Sequence, residues 1–448
     1  MQDTQSLTVG SPFKSLIKFT FPILLSLLLQ ITYGLVDLLV VGQFSSISNV
    51  AGVTIGSQIM QTITSLASGL CMGVTILIGQ YIGANKPKET GEVIAVSIAL
   101  FTAIAGVLTV FLVLFTENIA IIMQTPVEAF KHTCDYILYC GIGIIFIVFY
   151  NLLGSIFRGM GDAKTPFISV AIACVVNVLL DLLFVAVYDM GARGAALATV
   201  IAQAASVILS LIIIRKRNYP FTFKLSMVRF TSSYIKSILK LGIPVALQGV
   251  LVSISFLFIT SIINPLGVSM SAAVGVVEKI TGIIMIVPMA FMQALSAFTA
   301  QNYGANKFER MRLGLSYAML LSLIFGVIMS YLSAFHGEIF TRVFIDDPET
   351  TQASIQYLRA YAIDTFQVCI MFTMNGYFNG CGQTNFVMLH SVLSAFLIRI
   401  PCAYLFSQLP QTNLFLIGLS TPLSTFIQVV CCIVYYHYLK RKQEYRNV

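Results

Sequence analysis

Five ionisable residues stand inside long apolar stretches of the sequence, where a charge is costly. They are four acids and one base: Asp37, Asp181, Glu278, Asp364 and Arg399. An ionisable side chain at bilayer depth costs on the order of 2.5–3.5 kcal/mol on insertion scales, so these residues are the first candidates for function. Carboxylates in such surroundings bind and release protons or hard cations. The sequence therefore indicates ion-binding chemistry.

Asp181 carries an additional signal, because Asn177 lies one helical turn before it. A carboxylate and an amide oxygen then share one helix face, which favours a site for a hard cation through oxygen ligands, or a proton site. Two structural alternatives remain open. Asp181 could make a hydrogen bond between packed spans, and Asp37 could be a buried carboxyl at a helix interface.

The other three embedded residues belong to the second half of the chain. Arg399 is predicted to contact Glu278 or Asp364, since an unpaired guanidinium at that depth is costly. In one alternative Arg399 neutralises one acid and leaves only the other for function. Lys279 points about 100° away from Glu278 on a helix, so both cannot line one cavity, and we assign it no catalytic role.

Enzyme motifs are missing from the sequence. The four histidines are scattered, and no H-E-x-x-H, G-x-S-x-G or P-loop occurs. The nine cysteines show no metal-ligand or redox spacing. We predict no cofactor, and an intramembrane enzyme is only a remote alternative.

The amino-acid composition indicates that lipid, rather than water, surrounds most of the chain. Of 448 residues, 57% are apolar and 10% are charged, whereas a soluble domain carries roughly 25% charged residues. The net charge of +8 falls in short clusters between apolar runs, which argues against a nucleic-acid partner. The chain is predicted to be an integral membrane protein in contact with lipids.

Spans of about 20 mostly apolar residues can cross a bilayer as helices. The chain contains twelve such runs, of which the fourth and tenth are the least clean: 16–41, 51–78, 93–115, 134–154, 166–188, 194–214, 237–263, 271–298, 313–335, 355–377, 386–406 and 414–439. With a cytoplasmic N-terminus, 20 lysines and arginines lie inside and 4 lie outside. The positive-inside rule then places both termini in the cytoplasm of a multi-pass cell membrane protein.

The chain resembles itself at an offset of 221 residues. Gly-Gln-Tyr-Ile-Gly-Ala-Asn-Lys (79–86) returns as Ala-Gln-Asn-Tyr-Gly-Ala-Asn-Lys (300–307), and Phe157-Arg-Gly-Met-Gly-Asp returns as Phe378-Asn-Gly-Cys-Gly-Gln. Each half holds an even number of spans, so this is a parallel repeat. We predict an all-α architecture of twelve transmembrane helices in two pseudo-symmetric six-helix lobes around a central cavity. The N-lobe covers residues 1–214, a cytoplasmic linker covers 215–236, and the C-lobe with its basic tail covers 237–448.

Several segments together resemble the multidrug and toxic compound extrusion (MATE) family over nearly the whole chain. They are Val36-Asp-Leu-Leu-Val-Val-Gly, Gly79-Gln-Tyr-Ile-Gly-Ala-Asn, Phe157-Arg-Gly-Met-Gly-Asp-Ala-Lys-Thr-Pro, Asn177-x-x-x-Asp181 and Gly194-Ala-Ala-Leu-Ala-Thr-x-x-x-Gln. The resemblance implies a secondary antiporter that expels organic cations, many of them amphipathic, in exchange for Na⁺ or H⁺. It implies a small-molecule substrate, and we expect a monomer.

The resemblance also implies site residues. Asp37 and Asp181 match the acids of an N-lobe coupling site, which could hold Na⁺, and Asn177 and Thr199 match its supporting positions. Other branches place a cation site in the C-lobe. There Asp364 lies in the matching helix, but the seventh span has no acid before its end, so Glu278 must substitute.

Two other functions remain open. Flippases for lipid-linked oligosaccharides share this architecture but usually carry more basic cavities, whereas four of the five embedded residues here are acids. A channel is opposed by the repeat with its asymmetric acids.

Overall fold

The computed structural model describes residues 7–217, 221 and 227–444, with the side chains of 442–444 excepted. These residues form helices and their connections, and no strand occurs among them. The predicted linker lies partly outside the described residues, since 218–220 and 222–226 belong to it. Residues 445–448 of the predicted basic tail also lie outside.

The first half forms eight helices and one π-helical segment, Leu182–Val187, which directly continues α7. The helices are α1 (Pro12–Phe44), α2 (Ile47–Gly83), α3 (Pro87–Leu114), α4 (Thr116–Ile122), α5 (Val127–Ile142), α6 (Ile144–Gly159), α7 (Lys164–Asp181) and α8 (Gly191–Lys216).

The second half repeats this order of helices, but its helices are interrupted at different positions. Its π-helical segment, Ala395–Arg399, joins α15 to α16. The helices are α9 (Ser232–Ile263), α10 (Val268–Ile284), α11 (Ile286–Gly304), α12 (Phe308–Phe335), α13 (Gly337–Thr341), α14 (Pro348–Gly380), α15 (Thr384–Ser394), α16 (Ile400–Ser407), α17 (Leu414–Gly418) and α18 (Ser420–Glu444).

The predicted spans correspond to these helices. Within the described ranges, nine segments are long and apolar enough to cross a membrane, and two further spans are bent pairs, α5 with α6 (56°) and α10 with α11 (41°). The remaining predicted span, the tenth, is α14. Its 33 residues are long enough to cross, but much of its length is buried against α10, α11, α12 and α18 rather than lipid. A helix surrounded by protein can carry polar residues. This explains why the tenth span is less apolar in sequence than the others.

Large apolar side chains on the outside of the helices confirm that the chain is an integral membrane protein. Val107 of α3 and Leu257 of α9 are each 69% exposed. Buried positions are often small or polar instead, as in α2, where Gly69 and Gly73 face the backbone of α9. A Cβ on Gly73 would lie 2.5 Å from the carbonyl oxygen of Ile238. Small residues at such interfaces let two membrane helices approach closely.

The repeated motifs form the same helix ends in both halves. Helices α2 and α11 end at Gly83 and Gly304, and the left-handed residue that follows is Asn85 (φ 55°) or Asn306 (φ 56°). In each case the amide of the next lysine donates to the carbonyl five residues earlier, at 3.0 and 2.8 Å. This is the Schellman pattern, with asparagine in the position that glycine usually fills. The repeated segments therefore end α2 and α11 in the same way.

Contacts along the chain define two compact units. Leu7 and the described residues of 18–246 form the first unit, and those of 8–17 and 247–444 form the second. The division falls inside α9, after the segment predicted as the linker. Residues 8–17 belong to the second unit because Lys307 donates to the carbonyl of Thr8 (2.9 Å) and Arg310 to that of Val9 (2.7 Å).

Candidate functional site

Two acids of the first unit, Asp37 and Asp181, face each other. Asp37 lies in the second half of α1, and Asp181 is the last residue of α7, where the π-helical segment begins. Their carboxyl groups lie within hydrogen-bonding reach of each other. Asp37 is 7% exposed and Asp181 is fully buried. A π-helical turn widens the backbone and often marks a functional position, and here it fixes the direction of α7 after Asp181.

The surroundings provide little else to neutralise this pair. Oδ1 of Asp37 and both oxygens of Asp181 are buried without a hydrogen-bond donor among the described residues. In the same part of the chain, no lysine or arginine forms an ion pair with either acid. Two facing carboxylates in a low dielectric cannot both remain charged and unpaired. The site therefore requires a proton or a cation.

Asn177 and Thr199 take different positions around the acids. Asn177 is 2% exposed, and neither polar atom of its side chain has a partner within the described residues. Asn177 lies one turn before Asp181 on α7, so its unpartnered oxygen is available, beside the acid oxygens, as a ligand for a hard cation. Thr199 of α8 lies within hydrogen-bonding reach of Tyr136 in α5.

Sequence reasoning did not assign a role to the tyrosines of this site. Tyr33 lies one turn before Asp37, within hydrogen-bonding reach of Gln203 of α8. Tyr136 interacts electrostatically with Asp37 and Tyr33. The spacing Tyr33-x-x-x-Asp37, one helical turn, is the sequence pattern that indicates Tyr33. No local pattern marks Tyr136, because α5 reaches the site only through tertiary packing.

The second unit contains a different arrangement. Asp364 of α14 is 3% exposed, and Arg399, the last residue of the π-helical segment, is 5% exposed. The two side chains interact electrostatically. Thr425 of α18 lies within hydrogen-bonding reach of Asp364. Oδ1 of Asp364 has no partner among the residues that the structure describes.

Arg399 was predicted to contact Glu278 or Asp364, and it interacts electrostatically with Asp364 without forming an ion pair. Nη1 of Arg399 donates to Oγ of Ser255 at 3.1 Å, and its Cζ lies 4.5 Å from the ring centroid of Phe256. No ion pair joins Arg399 to Glu278 or Asp364, all three of which are described. A hydroxyl and an aromatic face of α9 replace the expected carboxylate, because Asp364 approaches from a different helix without reaching the guanidinium.

Glu278 takes no part in this buried pair. Both Glu278 and Lys279 of α10 are exposed, and Glu278 lies within hydrogen-bonding reach of Thr260 in α9. No cluster of three or more histidine, cysteine or acidic side chains suited to a metal ion occurs in the described part of the chain. Of the five embedded residues that the sequence singled out, the acid pair of the first unit and the Asp364–Arg399 set of the second are therefore the buried ones.

The comparisons with known proteins agree with this repeated arrangement. The MatE family model matches the chain twice, over residues 22–183 and 244–405. The chain belongs to the MATE family. The two matches cover most of the sequence and begin at equivalent points of the two halves, as the repeat predicts.

Relatives of similar length support the assignment. The chain is 28% identical to the probable multidrug resistance protein YpnP of Bacillus subtilis, over 96% of each chain. It is 25% identical to the probable multidrug resistance protein YoeA of the same organism, over 98% of this chain and 97% of the relative. A crystal structure of MATE in complex with MaL6 has the same fold, with a TM-score of 0.92, 20% identity and 99% coverage of both chains.

These findings confirm the predicted family and the twelve-helix MATE fold. MATE proteins are transporters, so the assignment to a transporter rather than an enzyme is also confirmed.

Proposed function

We propose that this MATE transporter is a secondary antiporter that exports organic cations in exchange for Na⁺ or H⁺. The observation that carries the proposal is the acid pair of Asp37 and Asp181, which is buried and lacks a basic partner among the described residues. Such a pair is stable only when it shares a proton or holds a cation. It can therefore alternate between the coupling ion and a cationic substrate.

Coupling follows from differential binding. If the ion and the substrate favour different arrangements of the helices, each lowers the affinity for the other by the same factor. Asp181 stands at the junction of α7 with its π-helical segment, so a change of charge there acts where the helix geometry changes. Asn177 provides a further oxygen for Na⁺, and Tyr33 and Tyr136 offer aromatic surface near the acids.

The names of the relatives support the substrate class. YpnP and YoeA are described as probable multidrug resistance proteins, which favours export of varied small molecules over flipping of lipid-linked oligosaccharides. Adaptable methionines, of which the chain has 17, suit varied apolar ligands. We place the transporter in the cell membrane with both termini in the cytoplasm, on the 20-to-4 distribution of basic residues. We expect it to work as a monomer.

The test uses the full chain reconstituted in liposomes, with ethidium as an aromatic organic cation. We expect either a Na⁺ gradient or a pH gradient, imposed alone, to drive ethidium transport, and the matching ionophore to abolish it. Asp181→Asn keeps the size of the side chain but removes its charge, so it should abolish gradient-driven transport. The exposed Asp346→Asn is the matched control and should transport normally.

Two results would contradict the proposal. Transport that neither gradient drives would exclude secondary antiport of this cation. Normal gradient-driven transport by Asp181→Asn, together with its loss in Asp364→Asn, would move the coupling site to the second unit.

A further inference from the structure

The repeat places a buried arginine of the second unit where the first unit has Asn177, the neutral residue of its acid site. The two MatE matches begin at 22 and 244 and end at 183 and 405, so their bounds are 222 residues apart, one more than the repeated motifs. At the separation of these bounds Asn177 corresponds to Arg399. Both Asp181 and Arg399 stand at a π-helical segment of their unit. The neutral Asn177, one turn before Asp181, therefore has a buried arginine as its counterpart in the second unit.

The two acids have apolar counterparts. At the same offset Asp37 corresponds to Ile259 and Asp181 to Ala403. Ile259 is 1% exposed and Ala403 is fully buried, and both belong to the apolar core of the second unit. The second unit thus lacks the cation-binding acids at these positions and has a buried base beside them.

Arg399 has more donors than the surrounding residues use. Nη1 donates to Ser255 and the guanidinium lies over Phe256, but Nε is buried without an acceptor among the described residues. A side chain that is 95% buried and not ion-paired leaves the cost of desolvating its charge largely uncompensated. An anionic group at the Nε edge would form charge-assisted hydrogen bonds there.

Asp364 restricts the kind of anion. Its carboxyl group is close enough to interact electrostatically with Arg399, so the net charge of the site is small. One guanidinium beside an acid suits a planar, singly charged carboxylate better than a doubly charged phosphate, which needs more positive charge. Phe256 and the buried Tyr361 add aromatic surface on the same side of the fold.

We propose that the second unit contains a binding site for the carboxylate group of an aromatic compound, with Arg399 as the anion-binding residue and Ser255 holding its guanidinium in place. The proposal goes beyond cation export, because it adds anionic and zwitterionic aromatic acids to the substrates. It does not require Asp37 or Asp181. The acid pair and Arg399 lie in different units and bind groups of opposite charge.

The test measures binding of 1-naphthoate to the purified full chain in lipid nanodiscs at neutral pH. The chain contains no tryptophan, so naphthyl fluorescence is recorded with little protein background. We expect saturable binding of 1-naphthoate. Arg399→Gln should weaken it by about tenfold or more, since it removes a charge-assisted contact. Lys279→Gln, which removes an exposed positive charge of the same unit, should leave the affinity unchanged.

Two further measurements keep the test valid if Arg399→Gln folds poorly. Arg399→Lys retains the charge but not the planar fork, so it should bind 1-naphthoate with intermediate affinity. Asp364→Asn removes the competing negative charge and should tighten binding. A loss of 1-naphthoate binding in Arg399→Gln counts only if that variant elutes as a monodisperse peak at the wild-type position.

The outcomes separate this proposal from ion coupling. Asp181→Asn should bind 1-naphthoate like the wild type even when it no longer couples ethidium transport to an ion gradient. No saturable 1-naphthoate binding by the wild type would overturn the anion site. Affinity for 1-naphthoate equal to that of the wild type in both a well-folded Arg399→Gln variant and the Asp364→Asn variant would overturn it too. Neither charge would then matter for binding the ligand.

Discussion

The carboxyl groups of Asp37 and Asp181 lie within hydrogen-bonding reach of each other although 144 positions separate them in the sequence. One belongs to α1 and the other to the end of α7. No basic side chain forms an ion pair with either of them in the described part of the chain.

The two acids should act as one unit in transport. Asp37→Asn and Asp181→Asn are each expected to abolish ion-driven ethidium transport, and the double variant should be no worse than either alone. The physical reason is that one shared proton or cation is lost at the first substitution. Initial rates of the two single variants and the double variant in proteoliposomes, each compared with the background of protein-free liposomes, test this. Additive losses, with residual transport in each single variant, would show that the acids work independently.

Thr199→Ala should have a smaller effect. Thr199 lies within hydrogen-bonding reach of Tyr136, so its removal takes a neutral hydrogen bond from the wall of the site. Such a bond contributes about 0.5–1.5 kcal/mol, which corresponds to a reduction of roughly two- to tenfold in transport. The same proteoliposome assay tests this. Complete loss of coupling in Thr199→Ala would instead give the hydroxyl a direct role in binding the ion.

The topology should follow the distribution of basic residues. With an impermeant thiol reagent, Arg229→Cys is expected to react only after cells are permeabilised, and Asp346→Cys is expected to react in intact cells. Unmodified protein serves as the background, since the chain has nine native cysteines. Labelling of Arg229→Cys in intact cells would reverse the orientation of every span.

Asp347 should make the start of α14 sensitive to acid. Its Oδ2 accepts hydrogen bonds from the amide (2.8 Å) and the hydroxyl (2.6 Å) of Thr350. These bonds lower the pKa of Asp347 below its ordinary value. The carboxylate therefore stabilises the fold above the ordinary carboxyl pKa, and this contribution is lost as pH falls through the depressed value.

The measurement is the apparent Tm of the detergent-solubilised protein. Asp347→Ala should lower the Tm at neutral pH because it removes the N-cap. The difference from the wild type should shrink as the pH approaches the acidic range of carboxyl titration. The exposed Asp346→Ala is the neighbouring control. A difference that does not depend on pH would mean that the charge of Asp347 contributes nothing to the cap.

Much of this architecture was determined locally by the sequence. Continuous apolar runs specify membrane helices, since every backbone polar group must be satisfied within the helix. The repeated Gly-Ala-Asn-Lys segments mark helix ends because asparagine tolerates the left-handed conformation at Asn85 and Asn306. Asp37, Asp181, Asp364 and Arg399 stood out for a similar reason, namely the cost of a charge in an apolar run.

Tertiary structure decided which of these charges meet. The sequence predicted Arg399 beside an acid, but packing places it against Ser255 and Phe256 of α9, while Asp364 approaches from α14 without an ion pair. Glu278 was predicted to join them and lies exposed on α10. Depth in a span can be inferred from local hydropathy, but the direction of a side chain depends on helix rotation and on the π-helical segments. These depend on contacts between helices far apart in the sequence, so only the folded chain determines them.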